Sequence, residues 1–167
     1  MRAAALVLAG LSLAAAPLPG GPEGTFALDR AASDDVNRAI ERTAAEFNFL
    51  LRPFARSRLR KANPVPKEIR IVYSPAEVSV QLERYPAIAA PRDGRTIRWT
   101  RDDGAVFDLT ATTEAGVLRQ TFRGEEGERT SVYRILPDGR SLSMQVKISS
   151  PRLPKPLAYT LVFRRQG

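Results

Sequence analysis

Neither cysteine nor histidine occurs anywhere in the 167 residues. Without cysteine there is no disulfide framework, no thiolate nucleophile and no sulfur-ligated metal site; without histidine the commonest metal ligand and the neutral-pH proton shuttle are both missing. Serine and tyrosine remain as nucleophiles, yet only a lysine or a carboxylate could activate them, and no Ser-x-x-Lys spacing occurs. Aromatic residues are few: one Trp, four Tyr and seven Phe. No apolar run approaches the roughly 20 residues that cross a bilayer. These absences predict a protein that is not an enzyme and carries no cofactor or metal.

The length suits one compact domain, by the usual size of roughly 100–200 residues. Its start reads as a secretory signal. Met1-Arg2 gives a short positive region, Ala3 to Leu13 is apolar apart from Gly10 and Ser12, and Ala14-Ala15-Ala16 offers small residues for cleavage. The cut falls there or near Pro19-Gly20-Gly21. With no cysteine after the apolar run there is nothing to acylate. The expected organisation is a signal over residues 1–20, a flexible mature terminus over 21–32 and one domain over 33–167, in a protein exported to the periplasm or beyond.

The chain is basic, with 26 Lys plus Arg against 18 Asp plus Glu. Arginine carries nearly all of it, since Lys61, Lys67, Lys147 and Lys155 are the only lysines. Such a surface raises the local concentration of acidic ligands and anionic headgroups. Nucleic acid is not an expected partner, because no recognised binding motif is present.

Ser33 reads as a helix N-cap with Asp34 and Asp35 in the first turn, beside the positive end of the helix dipole. Val36, Ile40, Thr43 or Ala44, Phe47 and Leu51 then recur at steps of three and four, one apolar stripe. Pro53 ends or kinks this helix and stands at N1 of a second, shorter one over 54–62. From Lys67 the period changes to two, most clearly in Leu142, Met144, Val146 and Ile148 against Ser141, Ser143, Gln145 and Lys147. Turn signals such as Asp93-Gly94, Asp103-Gly104 and Pro137-Asp138-Gly139 recur about every ten residues, the spacing of antiparallel neighbours. The pattern predicts a mainly β, α+β fold: an N-terminal amphipathic helix followed by an eight-stranded antiparallel meander, at about 67–73, 77–83, 95–100, 105–112, 116–123, 128–136, 140–149 and 157–165. A sheet of that size must curl, close or be covered.

A helix followed by up-and-down strands, over residues 33–165, resembles the lipocalin and fatty-acid-binding (calycin) architecture. The resemblance implies a barrel that holds a small ligand. An open, helix-covered half barrel similar to periplasmic lipoprotein carriers fits the same order. The stretch from Ser149 to Arg165, with its Pro151, Pro154 and Pro156, also looks like the ending of small secreted bacterial proteins.

Three sets of residues are candidates for function. Tyr73, Trp99, Phe107, Phe122, Tyr133, Met144 and Tyr159 fall on the concave side, where they are either plain core or the wall of a site for an apolar or amphipathic molecule. An inward arginine, Arg119 or Arg134, would pair with a ligand carboxylate. Arg52, Arg56, Arg58, Arg60 and Lys61 form a run with no acid between Glu46 and Glu68; they are either a solvated basic face or an anchor for anionic membrane or an acidic partner. The third set, Asp102-Asp103 and Glu125-Glu126, sits at hairpin tips without the spacing of a calcium loop. The expected function is an exported binder or carrier of a small apolar or amphipathic molecule. The alternative is a cell-envelope protein that binds anionic surfaces through its basic helix.

Overall fold

A computed structural model describes residues 21–167, so the expected signal, residues 1–20, lies outside the described residues. The described residues open with a strand, β1 (Gly24–Leu28), followed by two helices, α1 (Val36–Ala44) and α2 (Arg52–Ala62). Nine further strands complete it: β2 (Glu68–Tyr73), β3 (Glu77–Leu82), β4 (Ile88–Pro91), β5 (Ile97–Thr100), β6 (Val106–Glu114), β7 (Val117–Gly124), β8 (Gly127–Ile135), β9 (Ser141–Ser149) and β10 (Leu157–Arg165).

The antiparallel meander is present, but among the described residues it has ten strands rather than eight, and the helices follow β1. β1 lies within the segment expected to be flexible. It slots between β2 and β10, with Phe26 opposite both Ile69 and Arg165, and Phe26 is fully buried. β4 is the other unforeseen strand. It pairs with β3 and ends at Pro91, a residue that an edge strand tolerates because its missing N–H faces no partner.

The strands run in the order β4-β3-β2-β1-β10-β9-β8-β7-β6-β5. β4 and β5 are therefore the two edges, four residues each, which leaves little unpaired backbone exposed. The isolated bridge between Asp93 and Thr112 ties the end of β4 to β6 and brings the edges round into a near-closed barrel. At that end the N-terminal segment runs close under the wall: a side chain at Gly21 would collide with the Tyr73 hydroxyl. A gap between β4 and β5 remains toward the other end.

The helices cover that other end, where β1 finishes and β2 begins. Asp35, not Ser33, caps α1 by accepting from the Arg38 N–H at 3.1 Å. Ser33 and Asp34 instead bond the backbone of β10, at Val162 and Thr160. α1 buries Val36, Ala39, Ile40, Thr43 and Ala44, whereas α2 buries Leu59 alone. The expected apolar stripe stops at Ala44, since Leu51 points to solvent.

Inside the barrel, alternation sets two sides. β10 sends Leu157, Tyr159, Leu161 and Phe163 inward, and β9 sends Leu142, Met144, Val146 and Ile148 to meet them. Most inward side chains in the body of the barrel are buried to within a few per cent.

Candidate functional site

Below the helices the inner wall changes character. Trp99 on β5, Phe107 on β6 and Phe122 on β7 form a triad with ring centroids 5.3 to 6.4 Å apart, partly buried and next to the gap. Phe122 is the register partner of Arg129 on β8, and Arg129 in turn faces Ile148 on β9. An apolar stripe thus runs from the gap to a cation. Arg129 shares its side of β8 with the buried Ser131 and Tyr133, the inward side.

The Arg129 guanidinium has no carboxylate partner among the described residues. It donates to the Asn63 Oδ1 at 3.1 Å and approaches the Tyr159 hydroxyl at 3.5 Å. Tyr159 donates to the same Asn63 oxygen at 3.3 Å, while the Asn63 amide donates to the Leu59 carbonyl at 2.8 Å. Asn63 is the C-cap of α2 and is itself buried. A single neutral carbonyl is therefore the best acceptor offered to a planar, always-charged group that matches a carboxylate with two parallel bonds.

Deeper in the wall, burial pushes the Tyr133 hydroxyl up to about 12, an effect that the charge of Arg129 and the Ser131 hydroxyl reduce without cancelling. Gln120 on β7 stands opposite Ser131 and points inward, 3% exposed. Its Nε2 has no acceptor among the described residues.

The seven residues expected on the concave side do all point inward, but they do not form one cluster. Trp99, Phe107, Phe122 and Tyr159 gather below the helices. Tyr133 and Met144 are cross-strand partners in the middle of the wall, each 1% exposed. Tyr73 lies at the far end, its hydroxyl 3.5 Å from that of Thr113, and burial raises its pKa. Arg119 and Arg134 face outward, contrary to expectation. They line, with Lys147, an open groove of about 560 Å³ on the outer face of β7 to β10. The inward arginine is Arg129, ten residues from one and five from the other, and the candidate sets in the sequence include neither it nor Asn63 nor Gln120.

The basic run on α2 is largely engaged. Arg56 and Arg60 both bind Glu41 of α1, at 2.7 and 2.8 Å. Arg58 shares Glu126, in the β7–β8 turn, with Arg152. Arg52 donates to the Ala45 carbonyl at the end of α1, and Lys61 has no acidic partner among the described residues. Two arginines per glutamate still leave positive charge on this face. Beside it the α1–α2 connection exposes apolar side chains: Phe49 and Phe54 are each 75% exposed, Leu50 65%. Of the acidic tips, Asp103 accepts two bonds from Arg101, which hold its carboxyl down at about 2.

Comparison with protein-family models and with curated sequences found no match. Solved structures share the fold. The REP1-NXSQ fatty acid transporter is 14% identical with a TM-score of 0.55, over 87% of this chain and 96% of that one. The Echinococcus granulosus fatty-acid-binding protein 1 is 13% identical with a TM-score of 0.58, over 87% and 97%. Human cRBP IV is 15% identical with a TM-score of 0.53, over 86% and 97%. The near-closed ten-strand barrel thus has the fold of these structures, a calycin-like fold of the sort the order of elements resembled.

Proposed function

We propose that this protein is an exported, non-enzymatic carrier of a small amphipathic acid, whose acidic head sits against Arg129 and Tyr159 and whose tail lies along Trp99, Phe107 and Phe122. The observation that carries the reading is Arg129, a cation turned into a barrel where, among the described residues, only the Asn63 carbonyl and a tyrosine hydroxyl meet it. An anionic head would replace that carbonyl with a charge-assisted pair, roughly twice as strong as a neutral hydrogen bond. The names of two structural neighbours, a fatty acid transporter and a fatty-acid-binding protein, support the same ligand class. Export rests on the apolar run Ala3 to Leu13 after Arg2. The tightly buried wall means that the tail enters as the cap and the β4–β5 gap give way.

Trp99 is the only tryptophan, so its emission reports that step. Titration with oleate is expected to saturate at one equivalent with a change in Trp99 emission, and native mass spectrometry to retain one acid per chain. Arg129→Leu should weaken binding about 10- to 100-fold, the worth of a charged hydrogen bond of roughly 1.5–3 kcal/mol. No adduct and no change in emission would remove the carrier reading.

A second reading, favoured by the exposed tip, makes the helical cap a docking element for anionic lipid. Phe49, Leu50 and Phe54 would enter the headgroup boundary while the surplus arginines and Lys61 face the lipid charge, as in interfacial helices. Flotation with phosphatidylglycerol vesicles should then weaken as salt rises. The double variant Leu50→Ser, Phe54→Ser should lose at least about tenfold in partitioning; binding equal to neutral phosphatidylcholine would sink this reading.

A further inference from the structure

Gln120 and Ser131 stand opposite each other on the inner wall, where Ser131 lies between Arg129 and Tyr133 on its own strand and meets the Tyr133 hydroxyl. Around them on the same face stand Leu118 and Phe122 of β7, Ala111 of β6 and Val146 of β9. A buried amide without a partner forfeits the hydrogen bonds that water would give it, and among the described residues Gln120 Nε2 is such a group at 3% exposure. Its position is defined by the ladder. Ser131 lies two residues from Arg129 on the inward side of β8, which puts the Gln120–Ser131 pair about 7 Å along the wall from the cation.

We propose that this pair is a second polar station in the ligand site, and that the preferred ligand is an amphipathic acid bearing a hydroxyl on its tail. The inference rests on the carrier reading above and narrows its ligand class. A hydroxyl both donates and accepts, so it meets the carboxamide of Gln120 and the hydroxyl of Ser131 at once. A plain hydrocarbon tail leaves the amide unsatisfied. Recognition by buried polar groups discriminates in this direction, because the penalty falls on the analogue that lacks the matching oxygen.

The test is displacement titration of the full mature protein with stearate and with positional isomers of mid-chain hydroxystearate. One isomer is expected to bind roughly five- to tenfold more tightly than stearate, the worth of one buried hydrogen bond. Gln120→Leu should abolish that preference, bringing the favoured hydroxystearate to the same affinity as stearate, and its melting temperature should not fall. Should Gln120→Leu misfold, Gln120→Met and Ser131→Ala give the same comparison. Equal affinities for all isomers in the unaltered protein, or a preference that survives in the variants, would overturn the second station and leave the carrier reading standing. Failure of stearate and every hydroxystearate to bind would overturn both.

Discussion

A guanidinium held inside a β-barrel is costly to keep charged unless something answers it. Here Asn63 answers Arg129, and the same asparagine also takes the Tyr159 proton and caps α2 through Leu59. Tyr133 shows the converse effect, a neutral group kept neutral by burial. Because its folded value is raised to about 12 from the ordinary 10, the stabilisation is full below pH 10 and falls as pH rises toward 12. Chemical denaturation is expected to lose about 1.4 kcal/mol per pH unit to this group across that window. Tyr133→Phe should remove that part of the slope; an unchanged slope would show that the hydroxyl titrates freely. Arg129 was legible in the sequence by parity alone. Once Tyr133 is placed inward, Ser131 and Arg129 follow at steps of two and Arg134 must face out, just as Phe122 inward requires Gln120 inward and Arg119 outward. What parity could not supply is Asn63, whose approach depends on where α2 stops.

Among elements, α2 is the least secured. It buries only Leu59, and its hold on α1 runs through Glu41, which receives both Arg56 and Arg60, and through the Arg52 bond to the Ala45 carbonyl. These partners are more than a third exposed, so the pair of bridges contributes no more than about 1 kcal/mol. Glu41→Gln is therefore expected to speed hydrogen exchange across Arg52–Ala62 while leaving β8 to β10 protected. Uniform acceleration would mean that the cap and barrel open as one unit. The long strands β6 to β10 were readable because eight or nine residues of clean alternation outweigh local noise. β1 and β4 were not, since five and four residues with one fully inward apolar side chain each, bordered by Gly or Pro, carry too little period to tell from a loop. The shift of the cap from Ser33 to Asp35 has a tertiary cause: β10 claims Ser33 and Asp34 for its own backbone.

For the whole molecule, the two missed strands change the count and leave the principle intact: a twisted antiparallel sheet hides its apolar face by curling on itself. β1 joins the first and last parts of the chain, and short edges at β4 and β5 leave one incomplete seam. Helices over one end, a seam beside an aromatic triad and a cation at the end of that stripe lie on the same side of the barrel. The proposed acid head would lie against that cation. The most direct measurement is carbon-13 NMR of carboxyl-labelled oleate bound to the protein, titrated downward in pH. A single bound carboxyl resonance that stays ionised well below the usual carboxylic range of roughly 4, and that reverts toward it in Arg129→Leu, is the expected result. A bound carboxyl that titrates as it does in water, or identically in the variant, would contradict it.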